Sequence, residues 1–146
     1  MVALGIRNVI VCGHSNCGAM TGVLHPETLE PMPAVRQWVS YAEPARRAVT
    51  AGFPGAPHAE LLERLVGFNV IAQVRNLLTF PFVRPLVERN EMKLHGWFYD
   101  ISTGRVDGLD ASGRRFAPLA GEADGAPDER RLLASFESDE EFWKRL

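Results

Sequence analysis

The sequence predicts an α/β fold, a mostly parallel β-sheet flanked by helices, on three observations. The run Asn8-Val-Ile-Val-Cys12 is short, apolar and rich in β-branched residues, and Gly13 closes it. Apolar residues at helical spacing then occupy most of the chain as far as Pro81. Aromatic and β-branched content returns at Lys93–Ile101, and strands separated by helical stretches belong to the α/β class.

Each element follows from local chemistry. Asn8–Cys12 reads as a fully buried strand. Ser15 and Asn16 are suitable N-cap residues for a helix carrying Ala19, Met20, Val23 and Leu24. Pro33 fits a first helical turn, after which Val35, Trp38, Val39, Ala42, Ala45 and Val49 recur at intervals of three and four, with Pro44 expected to kink or split the helix. Pro54-Gly-Ala-Pro57 is a loop. Leu61, Leu62, Leu65, Val70, Val74, Leu77 and Leu78 mark a longer helix ending before Pro81, with Gly67 weakening its middle. A short helix is expected at Phe82–Arg89, a strand at Lys93–Ile101, a turn at Ser102–Gly104 and a return strand at Arg105–Leu109. Residues 1–110 form the expected domain. Residues 111–146 read as a polar tail, partly disordered and helical from Asp128 to Leu146.

Composition narrows the function. With 146 residues, 46% hydrophobic and 23% charged, the chain is expected to fold around one core. A formal net charge of -2 offers no basic field for nucleic acid. No apolar run approaches membrane-spanning length and no secretory leader is visible, so a cytoplasmic protein without a membrane partner is expected. The two cysteines, Cys12 and Cys17, lie in one short segment, which argues for metal rather than a disulfide framework.

In Val9-Ile-Val-Cys-Gly-His-Ser-Asn-Cys-Gly18, His14 and Cys17 fall in the turn after a strand, where open α/β sheets bind ligands. Imidazole and thiolate are zinc donors, yet H-x-x-C alone leaves two readings open: a metal half-site, or a hydrogen-bonded turn histidine beside a half-buried cysteine. Cys12, two residues before His14 on a strand, is a candidate third ligand, although a cysteine in a buried apolar run is expected to pack as a small hydrophobe. No phosphate-loop pattern accompanies the glycines. His25 and His58 sit beside prolines in expected loops and His95 in a strand, and all three read as surface or structural residues.

The segment C-G-H-S-N-C-G-A-M-T-G, Cys12–Gly22, resembles the second zinc-binding motif of β-class carbonic anhydrases. Met32-Pro-Ala-Val-Arg-Gln-Trp38, Asn69-Val-Ile-Ala-Gln73 and Leu94-His-Gly-Trp-Phe-Tyr-Asp-Ile-Ser-Thr-Gly104 resemble, in order, further segments of the bacterial and cyanobacterial branch. The resemblance spans roughly residues 2 to 109 and implies Zn2+ held by two cysteines and a histidine. It also implies reversible hydration of carbon dioxide to bicarbonate, and assembly as homodimers or higher oligomers. His14 and Cys17 match two metal ligands, and Tyr99 matches a tyrosine of a noncatalytic bicarbonate site. The family's first zinc cysteine and its Asp-Arg pair belong to a Cys-x-Asp-x-Arg motif absent from this sequence. The resemblance therefore implies a domain missing its first strands, with no catalytic residue in this chain and activity incomplete in the 146-residue form. Two alternatives accompany it: a noncatalytic remnant that pairs with a full-length subunit, and a small structural zinc protein using Cys12, His14 and Cys17.

Overall fold

The computed structural model describes residues 2–110 and 112–119. Strands β1 (Asn8–His14), β2 (Lys93–Tyr99), β3 (Val106–Leu109) and β4 (Phe116–Pro118) form one sheet in the order β1-β2-β3-β4. Between β1 and β2 run α1 (Gly18–Leu24), α2 (Pro33–Val39), α3 (Glu43–Gly52), α4 (His58–Leu78) and α5 (Arg84–Glu88). The α/β class is as expected, but the sheet is mixed rather than mostly parallel. β1 and β2 are parallel, because the long helical crossover returns the chain in the same direction; β2–β3 and β3–β4 are antiparallel. Tight turns impose the reversals. Asp100 Oδ1 accepts bonds from the Ser102 N–H at 2.8 Å, the Ser102 hydroxyl at 2.6 Å and the Thr103 N–H at 3.2 Å, and Gly104 takes φ +74°.

α4 is the hub. Leu62, Leu65, Val66, Val70, Ile71, Val74 and Leu78 recur at three and four and are all buried. The C-terminal half of this stripe, Ile71, Val74 and Leu78, packs with Met92, Leu94, Leu109, Val83 and Val87 beneath the sheet; the N-terminal half, Leu62, Leu65 and Val66, packs with Met20, Val23, Ala42, Ala45 and Val49 from the α1 and α3 region. Fully burying a side chain such as Leu65 contributes roughly 1.5–3 kcal/mol. Gly67 is helical after all: a Cβ there would meet the Phe116 ring at 3.3 Å, so the small residue makes room for β4.

Pro44 splits the expected long helix into α2 and α3, with a 3-10 turn, Ser40–Ala42, between them. Ala42, Ala45 and Val49 are buried as the periodicity implies, whereas Val35 is 41% and Trp38 75% exposed, because α2 buries no residue. The expectation of a fully buried first strand is also corrected. β1 alternates, with Val9, Val11 and Gly13 turned toward α4 while Ile10 is 46% exposed and Cys12 is exposed. Among the described residues β1 has one neighbour, β2, so it is an edge strand with one covered face.

β4 lies inside the segment read as tail. Asp110 and Arg115 close a hairpin through a backbone bond of 2.8 Å, and Phe116 packs edge-on against Phe98. A three-residue strand with one aromatic shows no measurable period. The helix expected at Asp128–Leu146 lies outside the described residues.

Candidate metal centre

The β1–α1 turn places the two sequence-nominated donors. His14 is the last residue of β1, and Cys17, at φ −68° and ψ 112°, caps α1. The cap is therefore Cys17 and not Ser15 or Asn16. Asn16 instead takes the left-handed conformation, φ 55°, that reverses the chain, a geometry asparagine tolerates better than most residues. The Cys17 carbonyl accepts the Thr21 N–H at 2.9 Å and the Thr21 hydroxyl at 3.1 Å, which holds the first turn.

The other side of the turn is tied to β2. Ser15 N–H donates to the Tyr99 carbonyl at 2.9 Å, and Ser15 Oγ accepts the Ile101 N–H at 3.0 Å. Sequence reasoning assigned Ser15 to a cap and missed this role, because its partners lie more than eighty residues away. In register, His14 faces Tyr99 and Cys12 faces Trp97, so strand alternation puts Cys12, His14, Trp97 and Tyr99 on the face of the sheet opposite α4. Tyr99 is 38% exposed there.

The His14 ring is oriented by the backbone. Its Nδ1 lies 2.9 Å from the Ser15 carbonyl oxygen, which can only accept. The proton is therefore assigned to Nδ1 and the lone pair to Nε2, the arrangement in which a backbone carbonyl orients a metal-binding imidazole. Cys17 is half-buried against the α1–α3–α4 core. Cys12 is neither core nor a ready ligand. It lies on the open face, correcting the core reading, because its strand neighbours Val11 and Gly13 take the positions facing α4. Partial desolvation of this mostly exposed sulfur pushes its thiol above the ordinary range. The chemistry of His14 and Cys17 fits zinc, but they supply two donors where zinc sites take at least three from protein. Among the described residues no group of three or more His, Cys, Asp or Glu side chains could hold a metal ion, so Cys12, His14 and Cys17 do not form a closed structural site.

The family follows from comparison with known proteins. The carbonic anhydrase family profile matches residues 1–106. The chain belongs to the carbonic anhydrase family. It is 45% identical over 120 residues to a carbonic anhydrase of Pseudomonas aeruginosa, covering 82% of this chain and 54% of the relative. It is 42% identical over 123 residues to carbonic anhydrase 1 of Escherichia coli O157:H7, again covering 82% of this chain and 54% of the relative. Among solved structures, the β-carbonic anhydrase CcaA aligns with a TM-score of 0.78 at 35% identity, over 89% of this chain and 59% of that one. The class is therefore β. The chain spans about half the length of the curated relatives it matches.

Proposed function

We propose that this chain supplies the His14–Cys17 half of a zinc centre for reversible hydration of carbon dioxide to bicarbonate. The observation that carries the proposal is the His14 imidazole, oriented by the Ser15 carbonyl at the mouth of the sheet three residues before Cys17. Zinc, when bound in such a centre, lowers the pKa of a coordinated water toward 7 and so supplies hydroxide at neutral pH. This chain's own contribution is to hold one imidazole and one sulfur against a turn braced by Ser15 and Thr21. Tyr99, beside His14 in register, is assigned to a noncatalytic bicarbonate site on the same face.

With two donors, the 146-residue chain is expected to bind zinc weakly and to leave carbon dioxide hydration at the buffer rate. Equilibrium dialysis against zinc and stopped-flow hydration assays test this. Substituting His14→Gln or Cys17→Ser should abolish what binding remains at the β1–α1 turn, read with Co2+ as loss of the thiolate-to-metal absorption band. A thiolate-to-metal band undiminished in either variant, or rapid turnover by the unmodified chain, would overturn the assignment.

A specific surface favours assembly as a homodimer or larger oligomer, or pairing with a full-length subunit. Among the described residues the β1 edge is open and Ile10 is exposed on it, while Trp38, 75% exposed, stacks edge-on with Tyr41, 67% exposed, at 6.0 Å. Large exposed aromatics of this kind are typical of interface cores. No helix among the described residues is long and apolar enough to cross a membrane, and Cys12 and Cys17 are free thiols. A reducing, cytoplasmic setting suits such thiols. Sedimentation velocity distinguishes a lone monomer, which argues against assembly, from the oligomer proposed.

A further inference from the structure

A second pair of potential donors sits away from the β1–α1 turn. His25 follows α1, its N–H donating to the Thr21 carbonyl at 3.0 Å and its own carbonyl accepting the Thr28 N–H at 2.9 Å and the Thr28 hydroxyl at 2.7 Å. His58, which the sequence placed in a loop, is the first residue of α4. The backbone of His25 is thus fixed by hydrogen bonds and His58 is held at the first position of α4, and the two rings meet across 33 residues of sequence.

Their geometry is that of a chelate. His25 Nε2 lies 3.2 Å from His58 Nδ1, with ring centroids 5.1 Å apart and planes inclined by 31°. Two imidazole nitrogens, each about 2.0–2.1 Å from one tetrahedral ion, are separated by about 3.3 Å. On the far side of His25, Nδ1 lies 3.4 Å from Glu27 Oε1. A carboxylate there favours the tautomer with the proton on Nδ1, which directs the Nε2 lone pair toward His58. In that tautomer His58 Nδ1 donates the single proton that joins it to His25 Nε2. A cation that displaces this proton gains both lone pairs without moving either ring far.

We propose that His25 Nε2 and His58 Nδ1 form a surface site for a divalent transition metal of the class imidazole prefers, namely zinc, nickel or copper, with Glu27 as the positioning residue and water in the remaining positions. The site is independent of His14 and Cys17 and ties the end of α1 to the start of α4. Because only two protein donors converge, its affinity is that of a chelating pair rather than a buried structural centre.

Isothermal titration of the full chain with Ni2+ tests it. The expected result is one equivalent of Ni2+ that survives Cys17→Ser, is weakened at least about tenfold by His25→Gln or His58→Gln, and is weakened about tenfold by Glu27→Gln. These positions are exposed, so the variants should keep the thermal midpoint of the parent chain. Zinc titration followed by imidazole nitrogen NMR gives a second readout on the unsubstituted protein: resonances of His25 Nε2 and His58 Nδ1 should shift together. Ni2+ binding unchanged in either histidine variant, loss of all binding in Cys17→Ser, or zinc shifts confined to His14 would overturn the proposal.

Discussion

Substituting Gly13→Ala tests whether close approach of β1 to α4 sets the position of His14. A Cβ on Gly13 would lie 2.5 Å from Val66 Cγ1 and 2.8 Å from Val70 Cγ2. Both distances are well inside van der Waals contact. Neither valine can yield cheaply, since Val66 is 2% and Val70 1% exposed and a β-branched side chain on a helix has one strongly preferred rotamer. Inserting a methyl into such a gap costs about 1–3 kcal/mol. For a chain of this size, about 2 kcal/mol lowers the thermal midpoint by roughly 8 °C. Val66→Ala alone should cost about 2 kcal/mol through lost burial. In the double variant the new methyl occupies the space the valine vacated, so the combined cost should fall short of the sum by at least about 1 kcal/mol. Urea denaturation of the four proteins supplies the cycle. A Gly13→Ala chain as stable as its parent, or strict additivity in the double variant, would refute the packing argument.

Other predictions rest on charges. The Glu43 carboxyl is held down to about 2 from 4.5, chiefly by the Arg46 guanidinium bonded at 2.6 and 2.7 Å, with burial opposing and Arg47 at 3.1 Å adding to the effect. Because the folded value lies below the unfolded one, Glu43 stabilises the chain fully above pH 4.5, and that stability is lost as pH falls toward 2. Glu43→Gln should flatten this part of the stability–pH curve by up to about 1 kcal/mol, a figure discounted because the carboxylate is partly solvated. Urea midpoints measured across the interval decide it, and superimposable curves would contradict it. Arg105 Nη2 donates to Asp107 Oδ2 at 3.0 Å, and Asp107 is 9% exposed. Arg105→Met should therefore cost about 1–2 kcal/mol at neutral pH, less than for a fully buried pair because the guanidinium is largely in solvent. An unchanged denaturation midpoint would show that water already compensates the carboxylate.

Much of the candidate site was legible in sequence because its parts are local. Cys12, His14 and Cys17 fall within six consecutive positions, and the strand, turn and helix that carry them follow from β-branched content, glycine and apolar spacing. The misreadings share a cause. Cys12 was assigned to the core because its neighbours are apolar, yet alternation along β1 sends it to the face α4 does not cover. Val35 and Trp38 continue the period of buried residues, yet α2 turns both outward and only its end, at Val39, packs partly against the core.

The sequence by itself determined the order and kind of the principal elements, the family, and the closeness of the two candidate donors in the chain, since these depend on residues close together. Only the tertiary structure decided that β1 has a covered and an open face, that Ser15 is anchored to the end of β2, that Phe116 extends the sheet, and that His25 meets His58. Those facts depend on contacts between residues far apart in the chain. Local periodicity carries no record of them, because it specifies which side of an element is apolar but not what arrives to cover it.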